Sequence, residues 1–318
     1  MNKTVVQEKG QKLNISEMIV QNKKAASVSR YTEKLIPKFL FAIATISVLT
    51  TIGILFTLLT ETVLFFKEVP FLDFFTGTKL KPLGAEATFG ILPLLTGTII
   101  SSVIAMFVAI PIGVMTAVFL SEYASERLRK ILKPLLEILA GIPTIVYGFF
   151  AFTFVTPILR SFIPGLEPTN ILSPGLVMGI MIIPLVASLS EDAMSSVPNS
   201  LREGAMALGA TKLEVTMKVV IPAAISGIIA SFVLGISRAI GETMIVTIAS
   251  GSSKNFTFDI TQSMQTMTAY IVEVTGGEAA AGTTLYYSLY AVAMTLFVFT
   301  LIMNIIASYI SRKFREEY

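Results

Sequence analysis

The sequence predicts an all-α integral membrane protein: six transmembrane helices in one bundle, with a helical loop carried on the cytoplasmic side. Three observations support this. Across 318 residues only 14% are charged and the mean hydropathy is +0.76, which overrules the prior for soluble domains that length alone would suggest. Several apolar runs exceed the roughly eighteen residues that mark a membrane-spanning helix. Between two of those runs, residues 200–222 (SLREGAMALGATKLEVTMKVVIP) carry helix start and stop signals in close succession.

The chain contains neither cysteine nor histidine. That excludes disulfides, thiolate or imidazole metal sites, and catalytic triads built on either side chain. No cofactor is expected on this chain, and no nucleic-acid partner.

Residues 1–38 hold eight Lys or Arg (Lys3, Lys9, Lys12, Lys23, Lys24, Arg30, Lys34 and Lys38) and no long apolar run, which predicts a cytoplasmic tail with a short surface helix near its end. Because the first apolar run follows this polar stretch, no cleavable signal peptide is expected. Spans are predicted at 39–66, 89–120, 138–159, 171–190, 217–249 and 284–310, so that 39–318 forms one transmembrane domain. Six spans place both termini on one side. With the tail inside, eighteen Lys or Arg face the cytoplasm and five the other side, a bias that puts both termini and the 200–222 loop in the cytoplasm.

The second span would extend ~48 Å as a helix, more than a ~30 Å hydrocarbon core, so it must tilt or bend. Prolines recur in the middle spans (Pro93, Pro111, Pro143, Pro157, Pro174, Pro184, Pro222), which predicts a bundle that flexes. Gly175 and Gly179 form a GxxxG spacing suited to close helix contact. Residues 250–283 are polar and glycine-containing, predicting an external loop with an amphipathic helix at 261–274.

Within the 200–222 loop, Ser200 with Glu203, and Thr211 with Glu214, each have the spacing of a capping box. Gly209 suits a left-handed stop to the first helix. The expected product is a short helix, a tight turn and a second helix rising toward Pro222. The small residues Gly204, Ala205 and Gly209 offer a low-relief surface that a groove on another protein could approach. Their imitation of a phosphate-binding loop fails, because Ala210 stands where the lysine belongs. Asn255-Phe256-Thr257 is a glycosylation sequon that chance explains.

Arg238 and Glu242 stand in an otherwise uncharged run. Each costs ~2.5–3.5 kcal/mol near a bilayer centre, so they need either each other or a function. Four residues apart on one helix face, they can pair, although Arg before Glu is the weaker order. The functional alternative is a cation offered to an anion in transit, since the guanidinium fork matches oxyanion geometry. Arg238 would lie ~24 Å along the helix from Pro222.

Glu203-Gly204-Ala205, Gly209 and Ile221-Pro222 resemble the EAA motif of ABC importer permeases, with Gly204 in place of the first alanine and Ile221 in place of leucine. The segments FGILPLLTGTIISS (89–102), FLSEYA (119–124), LKPLLEILAGIPTIVYGFFAF (132–152), IMIIPLVASLSEDAMSSVP (180–198) and SRAIGETM (237–244) are similar to the PstC-type permease of the phosphate-specific ABC transporter, a resemblance covering residue 70 onward. It implies a type I importer (MetI-like) bundle with its core at about 89–310. It further implies a heterodimer with a second permease, two ATPase subunits holding ATP and Mg on the cytoplasmic loops, and an extracytoplasmic binding protein that delivers inorganic phosphate. Glu203, Gly204, Ala205, Gly209 and Pro222 would couple to the ATPase, and Arg238 and Glu242 would lie in the phosphate path. The rivals are a permease for another oxyanion such as molybdate or sulfate, and an ATP-independent transporter or channel.

Overall fold

The computed structural model describes residues 15–84, 86–277 and 279–313, with side chains from residue 35 to residue 310 apart from 85 and 278. The expected basic residues Lys3, Lys9 and Lys12 lie outside the described residues. In chain order the helices are α1 (Ile15–Glu68), α2 (Phe71–Thr76), α3 (Leu92–Val118), α4 (Glu126–Ala140), α5 (Thr144–Phe150), α6 (Thr156–Phe162) and α7 (Leu172–Ser195). Then follow α8 (Asn199–Ala207), α9 (Lys212–Val215), α10 (Ile221–Ile240), α11 (Met244–Ala249), α12 (Met267–Gly276) and α13 (Thr284–Lys313). One two-stranded antiparallel ribbon pairs β1 (Leu80–Lys81) with β2 (Thr88–Phe89).

Six helical stretches among the described residues are long and apolar enough to cross a membrane: Leu35–Glu68, Leu92–Tyr123, Thr144–Phe162, Leu172–Ser195, Lys212–Ile240 and Thr284–Ile310. The chain divides into two units, Met1–Thr57 and Leu58–Tyr318. In the first, helix already begins at Ile15, well before the expected start of the first span, and the side chains of Phe39, Phe41, Leu49 and Phe56 are exposed, as lipid-facing residues are.

In the second unit α7 is the central helix, packed against α3, α10, α4, α5 and α11. Small residues set its distance from α3. A Cβ added at Gly179 would lie 2.8 Å from the Ala105 carbonyl oxygen and 2.7 Å from Val108, and one at Gly175 would lie 2.8 Å from Ile104. These are the two glycines of the GxxxG spacing, and without side chains they let the helices touch backbone to side chain. Ser190 and Ser231 hydroxyls meet at 2.9 Å between α7 and α10, satisfying two polar groups that lipid could not.

Among the described residues three π-helical turns lie within or at the end of the spans, at Phe119–Tyr123, Ala151–Val155 and Thr216–Val220. Two of them end two residues before a proline, Pro157 and Pro222. Proline lacks the N–H that would bond four residues back, and the wider turn re-pairs the carbonyls that this leaves.

Beyond shifts of up to five residues at other span ends, three differences from expectation have a local cause. The third span begins at Thr144, because residues 126–140 form the separate helix α4, opened by the Ser125 hydroxyl accepting from Leu128 N–H and ended at Gly141. The fifth ends at Ile240, with Gly241 as its C-cap. The expected amphipathic helix at 261–274 is α12, which starts at Met267 and buries Met267, Tyr270 and Val274 in a cluster with Phe65, Phe74 and Phe89.

An ion cluster ties α4 to α7. Glu191, its side chain 1% exposed, receives Arg129, Lys133 (2.8 Å) and the Ser195 hydroxyl (2.8 Å), while Lys133 also reaches Asp192 at 2.7 Å. A buried carboxylate costs several kcal/mol unless it is paired, so the two cations are required once Glu191 is inside. Hydrogen bonds to Asp192 and Glu191 hold the Lys133 ammonium above its ordinary value of 10.5. A raised folded value gives stability that is fully present below the unfolded value and lost as pH climbs through the folded one.

Three outcomes follow, all read from thermal melting of the detergent-solubilised chain. Gly179→Ala should cost ~1–3 kcal/mol through overpacking against Ala105, whereas Gly204→Ala, where an added Cβ meets nothing within 4 Å, should cost nothing. Arg129→Met with Lys133→Met should cost ~3–5 kcal/mol by stranding Glu191. The smaller loss from Lys133→Met alone should stay constant from neutral pH to 10.5 and disappear only at higher pH.

Candidate functional site

Two places gather the residues that the sequence singles out: the elbow between α7 and α10, and the break between α10 and α11.

The elbow is a short helix, a reversal and a one-turn helix. α8 opens at Pro198 with no side-chain cap, so the expected Ser200–Glu203 cap does not form. Pro198 starts the helix early, which leaves Ser200 inside the first turn rather than ahead of it. The helix stops in a Schellman motif: Gly209 has φ +89°, its N–H reaches the Met206 carbonyl at 2.9 Å, and Ala210 N–H reaches Ala205 O at 3.2 Å. The second expected box is present. Thr211 Oγ1 accepts from Glu214 N–H (3.3 Å), and the Glu214 carboxylate accepts from Thr211 N–H (3.0 Å). The π turn Thr216–Val220 then leads into Pro222 at the start of α10.

What holds the elbow is a residue that motif spacing did not point to. Arg202, its side chain 14% exposed, donates to Met194 O (2.7 Å) and Val197 O (2.5 Å), and also to Asn199 Oδ1 (3.1 Å). It pairs in addition with Glu122 (3.1 Å), which lies in the π turn that ends the second span and is itself held by the Ser121 hydroxyl. One guanidinium thus closes the last turn of α7 and clasps the end of the α3 span. Local spacing carries no signal for the pair, since Arg202 sits beside Glu203 and Glu122 stands four residues before Glu126.

Outward, the elbow is open. Glu203 is exposed and makes no hydrogen bond or ion pair among the described residues, and a Cβ at Gly204 or Gly209 would meet nothing within 4 Å. Ala205 is half-buried against the cluster of Met194, Val197 and Val215. At the tip Leu208 is 91% exposed, with Met206 and Leu213 also exposed. An apolar side chain held this far out by a rigid reversal is what a protein cleft would take up.

At the break, the four-residue spacing does not yield the ion pair that it permits. Gly241 ends α10 before Glu242 is reached, and the Glu242 carboxylate turns instead to the start of α11, accepting from Met244 N–H (3.1 Å) and Ile245 N–H (3.3 Å). Glu242 is buried, and its carbonyl accepts from the Thr268 hydroxyl at 2.7 Å. Met267 N–H donates to Thr98 Oγ1 at 3.0 Å, so the segment entering α12 braces the break against α3. Arg238 lies in the last turn of α10, exposed, with no ion pair or hydrogen bond among the described residues. The carboxylate is thus fixed by backbone donors, and the guanidinium four residues earlier keeps its fork free.

Comparison with known proteins places the chain in a family. Residues 109–316 match the family described as "Binding-protein-dependent transport system inner membrane component". The chain is 32% identical over 302 residues to the "Probable phosphate transport system permease protein PstC" of Methanocaldococcus jannaschii, covering 87% of this chain and 94% of that one. It is 34% identical over 257 residues to the "Phosphate transport system permease protein PstC" of Mesorhizobium japonicum (74% and 77%), and 31% identical over 242 residues to the "Probable ABC transporter permease protein YqgH" of Bacillus subtilis (76% and 78%). Among solved structures, a bacterial ABC transporter involved in the import of the acidic polysaccharide alginate shares the fold, with a TM-score of 0.64 at 15% identity over 87% of this chain and 96% of that one. An inward-facing form of the MetNI methionine ABC transporter gives 0.52 at 16% identity, over 71% and 95%. The chain is an integral membrane protein and belongs to the binding-protein-dependent transport system inner membrane components.

Proposed function

We propose that this chain is one permease subunit of an ATP-driven importer that moves inorganic phosphate across the cytoplasmic membrane. The observation that carries the substrate is the similarity, over nearly the whole length of each chain, to a protein named as a phosphate permease. The elbow supports the ATP-driven part: it is rigid by its Schellman stop and its clasp, and it presents Leu208 and Glu203 outward.

In this reading the elbow and both termini lie in the cytoplasm, where the excess of Lys and Arg favours them. An ATPase subunit takes the elbow into a cleft, and each of two permeases contributes one elbow to a pair of ATPases. Hydrolysis belongs to those subunits. Force on α8 passes through Arg202 to the ends of α7 and the α3 span, and through the π turn to α10. The far end of α10 carries Arg238, whose exposed guanidinium faces a path completed by the second permease. A binding protein on the other side releases phosphate into that path, and the fork of donors on Arg238 makes it attractive to the anion. Glu242 serves by capping α11 and keeping the break open.

Two experiments test this in proteoliposomes holding the assembled complex. Arg238→Gln should lower phosphate uptake roughly tenfold, the worth of a charged hydrogen bond, while the subunits still co-purify. Normal uptake would remove Arg238 from the path, and equal competition by molybdate or sulfate would reassign the substrate. Leu208→Asp should weaken association with the ATPase roughly tenfold or more, and Gly209→Val should do the same by straining a position at φ +89°. Unchanged association and coupled uptake in both variants would overturn the docking role.

A further inference from the structure

We propose that α4 is an interfacial helix that lies on the membrane at the elbow end of the bundle and reads anionic lipid headgroups. Chain length confines it there. Only Ala124 and Ser125 separate the second span from α4, and only Gly141, Ile142 and Pro143 separate α4 from the third, so both ends of this fifteen-residue helix stay within about 10–15 Å of a span end. The Tyr147 hydroxyl, donating to Leu139 O at 2.8 Å, fastens its last turn to α5. The Glu191 cluster fastens one polar flank to α7.

None of its residues is buried in the chain. Leu128, Ile131, Leu135, Ile138 and Leu139, 38–67% exposed, recur at three- and four-residue spacing and form one stripe along the helix. Arg127 lies at one edge of that stripe and Arg129 about 80° beyond the other, while Lys130 and Lys133 stand toward the opposite face. Arg127 and Lys130 are exposed and form no ion pair among the described residues. An apolar stripe with cations at its edge and around the rest of the helix suits the boundary between acyl chains and anionic headgroups, where the stripe sinks in and long basic side chains reach the phosphates. The proposal commits to the bilayer as occupant rather than a second permease, because the stripe shares its helix with four cations and that helix is tethered at both ends to spans.

The natural absence of cysteine makes the test clean. Nitroxide labels on Ile131→Cys, Leu135→Cys and Glu137→Cys are placed in the assembled complex, in nanodiscs of phosphatidylcholine with increasing phosphatidylglycerol. Labels at 131 and 135 should collide with oxygen in preference to a water-soluble nickel chelate, and the label at 137 should do the reverse. The depth of the first two should increase with phosphatidylglycerol. Spin-labelled phosphatidylglycerol should associate with the complex in preference to phosphatidylcholine, and Arg127→Gln with Lys130→Gln should reduce that preference by about fivefold per cation removed. Nickel access at 131 and 135, spin coupling of those labels to the second permease, or a lipid preference untouched by the double variant would each overturn the proposal.

Discussion

The clasp made by Arg202 is the constraint on which the elbow depends. Arg202, in the next helix, adds donors to the carbonyl of Met194 in the last turn of α7 and to that of Val197 just beyond it. The same guanidinium takes the buried carboxylate of Glu122, so the ends of two spans and the root of the elbow share one charged group. Bonds to a charged donor are worth more than neutral ones, and each neighbour here is shielded from water. Without the clasp, α8 would be held only by its backbone at Pro198 and by the packing of Ala205 against Met194, Val197 and Val215.

At the opposite end of α10 the same economy of polar groups operates with the signs reversed. Leaving a helix inside an apolar layer exposes backbone donors and acceptors, and here the groups that leave are met at once: Glu242 takes the N–H groups that open α11, and Thr268 donates to the carbonyl of Glu242. Because the carboxylate is spent on the backbone, it does not neutralise Arg238. The break therefore separates two charges that a continuous helix would have joined, and the cation is the one left exposed.

The features legible in the sequence are those with local causes. Six apolar runs follow from composition alone, the Gly209 stop and the Thr211 box from residues within a turn of one another, and the GxxxG contact from a spacing that puts two glycines on one face. What reasoning along the chain misses is decided elsewhere. Ser200 loses its capping role to a proline two residues earlier, and Glu242 loses its pairing to the intervening Gly241. Arg202 and Glu122 lie 80 positions apart, and only the packing of α7 on α3 brings them together. Helix α4 is hidden because only its last three residues run into the stretch expected as the third span, while the rest, with four cations, reads as a polar connection.

The wide turn at Thr216–Val220 has a consequence for any attempt to read or redesign the arm that leads into α10. Such a turn holds about one residue more than the α-helical turn it replaces, so side chains before and after it are out of phase by about 100°. A wheel drawn from Lys212 through to Ile240 assigns the wrong faces to one half. It also means that a one-residue deletion within 216–220 would close the turn to an ordinary helix while leaving Val215 and Ala224 on the faces they now bury. The arm would then lose its slack but keep its packing.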